Sequence, residues 1–487
     1  MLRILQPIPI IAVSLTVGFP LVARADTITV GGATDYPTMQ EGLDAATDGD
    51  EVVVFSGTYF GPLNTNLDFH GAGIHLRAIT PGGVTIDCQE TCRAFLFDDS
   101  EDTLSIVDGI VVTHGAGENG GAVLIEDSSP KFTGCAFVSC TAEESGGAVH
   151  VATGAAVIIS SDFQENYAIA GGAIAAEIGS LKLRDCTFSS NDADETGGAI
   201  LLDESTATLR SCRFTDNETL YDWHDEPSDG GALHVVGTQV DFEDCSFVGN
   251  QARRGGALSL RRPCEVNLSR CAFDSNRSDN LGAAIHMYGC SPTIEECRFE
   301  RNEPTGGGTV WGEYSSPFMS YCTFWNNKGT YGPDVGHDIE LYHTDIGDAL
   351  IENCTFCGWR MDDARDTGAL LRFGDCEPLI ERCIISFYNH GPGVTCVGTG
   401  EPTITRSIVF GNTGGDEICG DDPENNLSVD PLFCGFWDGD LTLCTNSPGL
   451  PWNNSWEVQI GAHYAGCLDC GTPVEGLSWG AIKAMYR

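Results

Sequence analysis

The residues with the most chemistry per unit length are Tyr221-Asp222-Trp223-His224-Asp225-Glu226, an aromatic platform beside three carboxylates, and Arg253-Arg254, which follow at the same place one repeat later. Trp223, His224, Asp225, Glu226, Arg253 and Arg254 are therefore the candidate ligand-binding residues. A further acidic and aromatic stretch carries Tyr331, Asp334, His337 and Asp338 four repeats on, roughly 19 Å away at the spacing of stacked strands. That span suits an extended ligand, such as a glycan or a cell-surface partner, better than a small one. The plain alternative is a solvated ion-pair network, which stabilises little.

Groups for catalysis or metal binding are harder to assemble. Glycoside hydrolysis needs two or three outward carboxylates on neighbouring repeats, and a polysaccharide lyase needs a basic residue near a neutralised carboxylate. The signatures Asn-Thr-Asp, Gly-His-Gly and Arg-Ile-Lys are absent. Thr113-His114-Gly115 and Asn389-His390-Gly391 read as turn histidines. His150, His234 and His286 fall in one outward column but are separated by about three and two repeats, too far for one metal ion. No catalytic or metal-ligating residue is assigned. Calcium is the one cofactor the composition suggests, through the oxygen-rich turn Gly420-Asp421-Asp422-Pro423-Glu424.

A repeat positions these groups. Gly-Gly-Ala followed by an aliphatic residue starts at Gly120, Gly146, Gly171, Gly197, Gly230 and Gly255, with variants at Gly282 and Gly307. Cys-x-Phe recurs from Cys135 to Cys354, and seven repeats continue as Phe-x-x-Asn, from Phe163/Asn166 to Phe324/Asn327. Apolar residues recur at −7, −5, −2 and 0 from the Phe, as in Leu181, Leu183, Cys186 and Phe188. Strict alternation would put −5 and −2 on opposite faces, so a corner lies between them. Inward pairs after each Gly-Gly, such as Val149/Val151 and Leu258/Leu260, add a third strand. This is a right-handed parallel β-helix with rungs of about 25 residues, an all-β solenoid. Stacked like on like, Phe forms an aromatic ladder, Asn a hydrogen-bonded one, and Cys a column of small buried hydrophobes. The count from Gly-Gly to Phe is 17 or 18 in every rung, whereas Phe to the next Gly-Gly runs from 8 to 16. Length variation thus concentrates at the corner carrying the candidate residues.

The ends read differently. Residues 1–25 read as a signal peptide, a nearly uncharged run closed by Ala23-Arg24-Ala25, with prolines against a membrane span. The solenoid then occupies 26–412, opened by a short capping helix near 36–46 with a Thr38/Glu41 capping box. Residues 413–470 form a C-terminal cap and 471–487 a tail. Cys264 and Cys290, in adjacent rungs, are placed for a disulfide, and Cys467-x-x-Cys470 reads as a structural disulfide. The formal charge is −45, or −47 once Arg3 and Arg24 leave with the signal peptide. Nucleic acid and anionic membranes are poor partners for such a surface. No transmembrane segment remains after cleavage, and a monomer is expected.

The Gly-Gly-Ala-Ile and Phe-x-x-Asn repeats resemble the passenger repeats of the polymorphic outer-membrane protein family. The capping motifs are similar to those of pectin-lyase-like right-handed β-helix proteins. The resemblance spans roughly residues 35–465 and implies a location on, or release from, the cell surface and a role in adhesion. Fewer than 80 residues follow Asn412, without the alternating strands of an outer-membrane barrel. The expectation is a secreted or cell-envelope interaction module, with a carbohydrate-active enzyme as the alternative.

Overall fold

A computed structural model describes residues 25–220, 228–327, 329, 337–343, 349–358, 369–389, 391–468 and 470. Residues 1–24 of the stretch read as a signal peptide, Tyr221–Glu226, Tyr331, Asp334, His390 and residues 471–487 lie outside these residues. The chain winds as a parallel β-solenoid of about 16 turns. Strands stack into sheets of 26, 14 and 8 members, and a three-stranded sheet belongs to the C-terminal cap. No helix among the described residues is long and apolar enough to cross a membrane.

The inward columns follow the sequence pattern. Rings from Phe137 to Phe356 stack at centroid separations between 4.4 Å and 5.0 Å, the spacing of parallel strands. Val149, Val151, Leu258 and Leu260 are fully buried. The Cys-x-Phe cysteines are buried too, and burial pushes the Cys135 thiol up to about 12. Along the Asn column each side-chain amide donates to the next rung's oxygen, as in Asn217 Nδ2 to Asn250 Oδ1 at 2.9 Å, and to a Phe carbonyl one rung back, as in Asn250 Nδ2 to Phe214 O at 3.1 Å. The paired glycines have distinct duties. Gly171 sits at φ +61°, and a Cβ on Gly172 would lie 2.2 Å from the Gly198 carbonyl oxygen of the next rung. Neither position accepts a side chain.

Two expectations need correction. The strands after Gly-Gly and before Cys belong to one sheet, fused in Leu233–Glu243 and Leu258–Ser269 into single bent strands. The arc from Asn to the next Gly-Gly, read as a corner, is itself a sheet of eight short strands from Ala116–Asn119 to Glu303–Pro304. Four of these strands each turn a single alanine inward, Ala142, Ala168, Ala193 and Ala252. One small residue in four or five leaves no alternation to detect.

The helix spans Met39–Ala45, but the Thr38 hydroxyl donates to Glu41 Oε2 at 2.7 Å rather than capping a backbone N–H. Asn64 Oδ1 accepts from Met39 N instead, at 3.0 Å. At the other end, Asp421 and Leu427 bridge Thr403 and Ile408, extending the last rung. The rest of the cap folds back along the outside of the 14-stranded sheet. Cys357, Ile384, Ile408 and Phe410 form an apolar outer row there, and Phe433, Phe436, Leu441, Leu443, Leu450 and Ile460 cover it. Cys264 bonds Cys290 as expected. Cys467 and Cys470 do not bond each other: Cys434–Cys467 and Cys444–Cys470 tie the cap, and Cys396–Cys419 ties the last rung.

Candidate functional site

The corner between the eight-stranded sheet and the strand after Gly-Gly carries two outward columns. In the first, pairing aligns Leu201, His234, Ser259, His286, Trp311, Glu340 and Arg372 on successive rungs. In the second it aligns Arg261, Tyr288, Glu313 and Tyr342. Inward alternates such as Val235, Leu260, Met287 and Leu341 hold each strand on the core. The sequence repeat therefore fixes which side chains face out, and rung stacking fixes their spacing.

The lower part of this corner is built around Asp229. Its side chain is fully buried, and Arg254 forks onto it, Nε to Oδ1 at 2.7 Å and a terminal nitrogen to Oδ2 at 2.9 Å. Arg261 approaches Oδ2 at 3.7 Å. His234 and His286 are buried beside this cluster. Burial lowers His234 to about 4 and His286 to about 3 against the opposing field of Asp229. Both are neutral at pH 7.

The upper part is aromatic. His286 stacks on Trp311 with ring centroids 5.2 Å apart, and Trp311 lies 6.4 Å from Tyr342. Tyr288 meets Tyr314 edge-on at 5.8 Å, and Tyr314 stacks on His343 at 5.7 Å. Arg262 lies 5.4 Å over the Tyr288 ring, a cation–π contact. Tyr342 OH donates to Glu340 Oε1 at 2.8 Å, and Arg372 approaches the same oxygen at 3.5 Å. The second Glu340 oxygen is buried without a hydrogen-bond partner. Arg372 also lies 3.4 Å from His337 Nε2.

Of the sequence candidates, Arg253 and Arg254 are on this corner, while Trp223, His224, Asp225 and Glu226 lie outside the described residues. Arg254 is not free to meet a ligand, because it is the partner of Asp229. His337 and Asp338, read as part of a long corner loop, are buried in strand His337–Tyr342. Asp338 Oδ1 accepts from Asn327 Nδ2 at 2.9 Å and so ends the Asn ladder. Burial pushes its carboxyl up to about 8, outweighing that hydrogen bond. The histidine column has the expected register, but its members are tucked into the groove, His150 against Ser145 at 3.0 Å. His114 occupies a turn beside Asp87, at 3.1 Å. In the oxygen-rich turn, Glu424 holds Arg406 with both oxygens and Asp422 holds Asn426, so a calcium ion would compete with protein partners there.

The family described as right handed beta helix region matches residues 106–277 and 231–429, two overlapping stretches that together span most of the solenoid. The chain belongs to that family. No curated protein matches it. Among solved structures, this β-helix protein is similar to the ORF18 protein of Geobacillus virus E2, at 12% identity and a TM-score of 0.38, over 58% of this chain and 57% of that one. It is also similar to alginate lyase AlyF-OU02 in complex with G6, at 11% identity and 0.40, over 92% and 96%. Pectate lyase Pel9A matches at 12% identity and 0.28, over 91% and 97%. The chain spans little more than half the length of the ORF18 protein.

Sequence reasoning missed Asp229, Arg261, Tyr288, Trp311, Glu340, Tyr342 and Arg372. A signal existed for the middle of the set. Ile285-His286-Met287-Tyr288 and Val310-Trp311-Gly312-Glu313 occupy the Gly-Gly-Ala register, and reading outward positions rung by rung would have aligned them. Glu340 and Arg372 follow degenerate Gly-Gly positions, where the register could not be counted.

Proposed function

We propose that this β-helix protein is exported to the cell envelope or beyond and there binds an extended glycan along the arginine and aromatic corner, as a monomeric interaction module. The observation that carries this reading is the alignment on consecutive rungs of Arg261, Tyr288, Glu313 and Tyr342 beside His286, Trp311, Glu340 and Arg372. Rings and charged hydrogen-bonding groups repeat along one line at roughly 4.8 Å per rung, which matches a ligand made of repeated units. The chain has only 25 basic residues against 70 acidic ones, yet Arg253, Arg254, Arg261, Arg262 and Arg372 gather here. Arg254 is committed to Asp229, so Arg261, 39% exposed, and Arg262, over the Tyr288 ring, are the guanidiniums that support a ligand rich in oxygen acceptors. Trp223, His224, Asp225 and Glu226 lie outside the described residues and do not enter this reading. The test is a glycan array followed by titration of the hits with wild type and with Tyr288→Ala/Tyr342→Ala. Binding lost in the double variant supports the reading, and a hit list unchanged by it removes the site from the corner.

A second reading is a carbohydrate-active enzyme. It is favoured by one observation, the Tyr342 hydroxyl on Glu340 beside Arg372, since a tyrosine, a carboxylate and a guanidinium in contact can hold and move a proton. Reducing-end release and ultraviolet absorbance of unsaturated products across a polysaccharide panel discriminate. Turnover abolished by Glu340→Gln would establish the enzyme.

A further inference from the structure

Where the C-terminal cap folds back over the 14-stranded sheet, it does not seal against it. A cleft of about 540 Å³ remains, within the range of sites that take small ligands. It lies on a different face from the corner groove. The solenoid wall supplies Arg298, Tyr321 and Thr323, and the cap supplies Asp440, His463 and Tyr464.

The wall is preorganised. His463 is largely buried, with Nε2 2.8 Å from the Thr323 hydroxyl, and its carbonyl accepts from Gln459 Nε2 at 2.6 Å. Thr355 Oγ1 accepts from Ala462 N at 2.9 Å. These bonds tie the loop bearing His463 and Tyr464 to the solenoid. Asp440 Oδ1 is engaged by the Thr442 backbone and hydroxyl. Arg298 pairs with the buried Glu300. Two rings stand open to solvent at this cleft, Tyr321 at 38% exposure and Tyr464 at 60%.

The mixture of groups selects the ligand. An anion offers only acceptors, and here it would face Asp440 while Arg298 already has a carboxylate partner. A cation would meet Glu296 and Asp440, but Asp440 Oδ1 already accepts twice from Thr442, and the Arg298 guanidinium lines the same cleft. Sugar hydroxyls both donate and accept, and the C–H face of a sugar ring packs on tyrosine. We infer that the cleft between cap and solenoid is a second binding site, for a neutral sugar of one or two residues. The inference is independent of the corner, since no residue is shared.

The test uses the full mature chain, with saturation-transfer NMR and titration against glucose, galactose, mannose, N-acetylglucosamine and their disaccharides. Galacturonate and choline serve as the anionic and cationic probes. Tyr464→Ala removes one ring. Tyr321→Asn removes the other with a residue that tolerates its φ of +52°. At least one neutral sugar is expected to saturate the protein. Each variant should weaken it by about tenfold, the scale of one lost aromatic contact, while Tyr288→Ala at the corner leaves it unchanged. The inference fails if no neutral sugar binds, if galacturonate or choline binds in preference, or if both tyrosine variants bind like wild type.

Discussion

Arg254 grips both carboxylate oxygens of Asp229 from the adjacent rung, at 2.7 Å and 2.9 Å, and Asp229 has no solvent exposure. A planar guanidinium fork on a buried carboxylate is a structural pair first and a ligand contact second. Removing Arg254 leaves the Asp229 charge buried with only Arg261 near it, at 3.7 Å, which costs on the order of 3 to 5 kcal/mol. Arg254→Ala should therefore lower the urea midpoint clearly. A midpoint unchanged in Arg254→Ala would mean that Asp229 is open to water.

Phe247 sits mid-stack, 5.0 Å from Phe214 and 4.8 Å from Phe273. Phe247→Ala should destabilise these rungs by about 3 to 5 kcal/mol, through lost transfer and a cavity that stacked rungs cannot close. Hydrogen exchange should localise the loss to the rungs on either side. Uniform protection, equal to wild type, would contradict the ladder.

The Asn250 amide makes four bonds: to Phe214 O and Asn276 Oδ1 as donor, and from Asn217 N and Nδ2 as acceptor. Asn250→Leu orphans buried polar groups on both neighbours, each worth roughly 1 to 3 kcal/mol. The expected result is a loss of several kcal/mol in denaturant titration, despite the more apolar side chain. A neutral or stabilising outcome would show that water replaces the ladder.

Asp338 holds its proton up to about pH 8 in the folded chain, against an ordinary carboxyl value of 3.8. Between those values the folded state binds the extra proton, so this group removes stability as pH rises from about 4 to 8. His150 and His234, lowered to about 4, and His286, lowered to about 3, act oppositely: the unfolded state takes their protons first, so stability falls as pH drops below 6.5. Asp338→Asn should raise Tm at pH 8, converge on wild type near pH 4, and leave the acid-side loss intact. A Tm difference independent of pH would contradict the buried carboxyl.

The inward columns were legible because each rung repeats them. Phe, Cys and Asn recur at fixed offsets, and one residue of slip would turn the set outward. The eight-stranded sheet was not legible, because Ala142 or Ala252 alone carries no period. The fold-back of the cap had a signal that went unread: Thr355-Phe356-Cys357, Ile384-Ile385-Ser386 and Ile408-Val409-Phe410 are apolar on both faces, unlike Thr187-Phe188-Ser189. At the corner, Arg254 was legible as a charge, but its partner Asp229 was not, since the pair meets only when two rungs stack. Arg372 meets Glu340 across rungs in the same way, whereas Tyr342 meets Glu340 within one strand.

The central proposal is that a chain-like ligand runs across successive rungs of the corner, and chain-length dependence tests it most directly. Isothermal titration of a homologous oligosaccharide series from the array hits, from two to eight units, should show affinity rising with each added unit until the Arg261 to Arg372 corner is filled. The same series on Tyr288→Ala/Tyr342→Ala should lose that rise. Affinity that is flat from two units upward, or that rises equally in the double variant, would contradict an extended site on this corner.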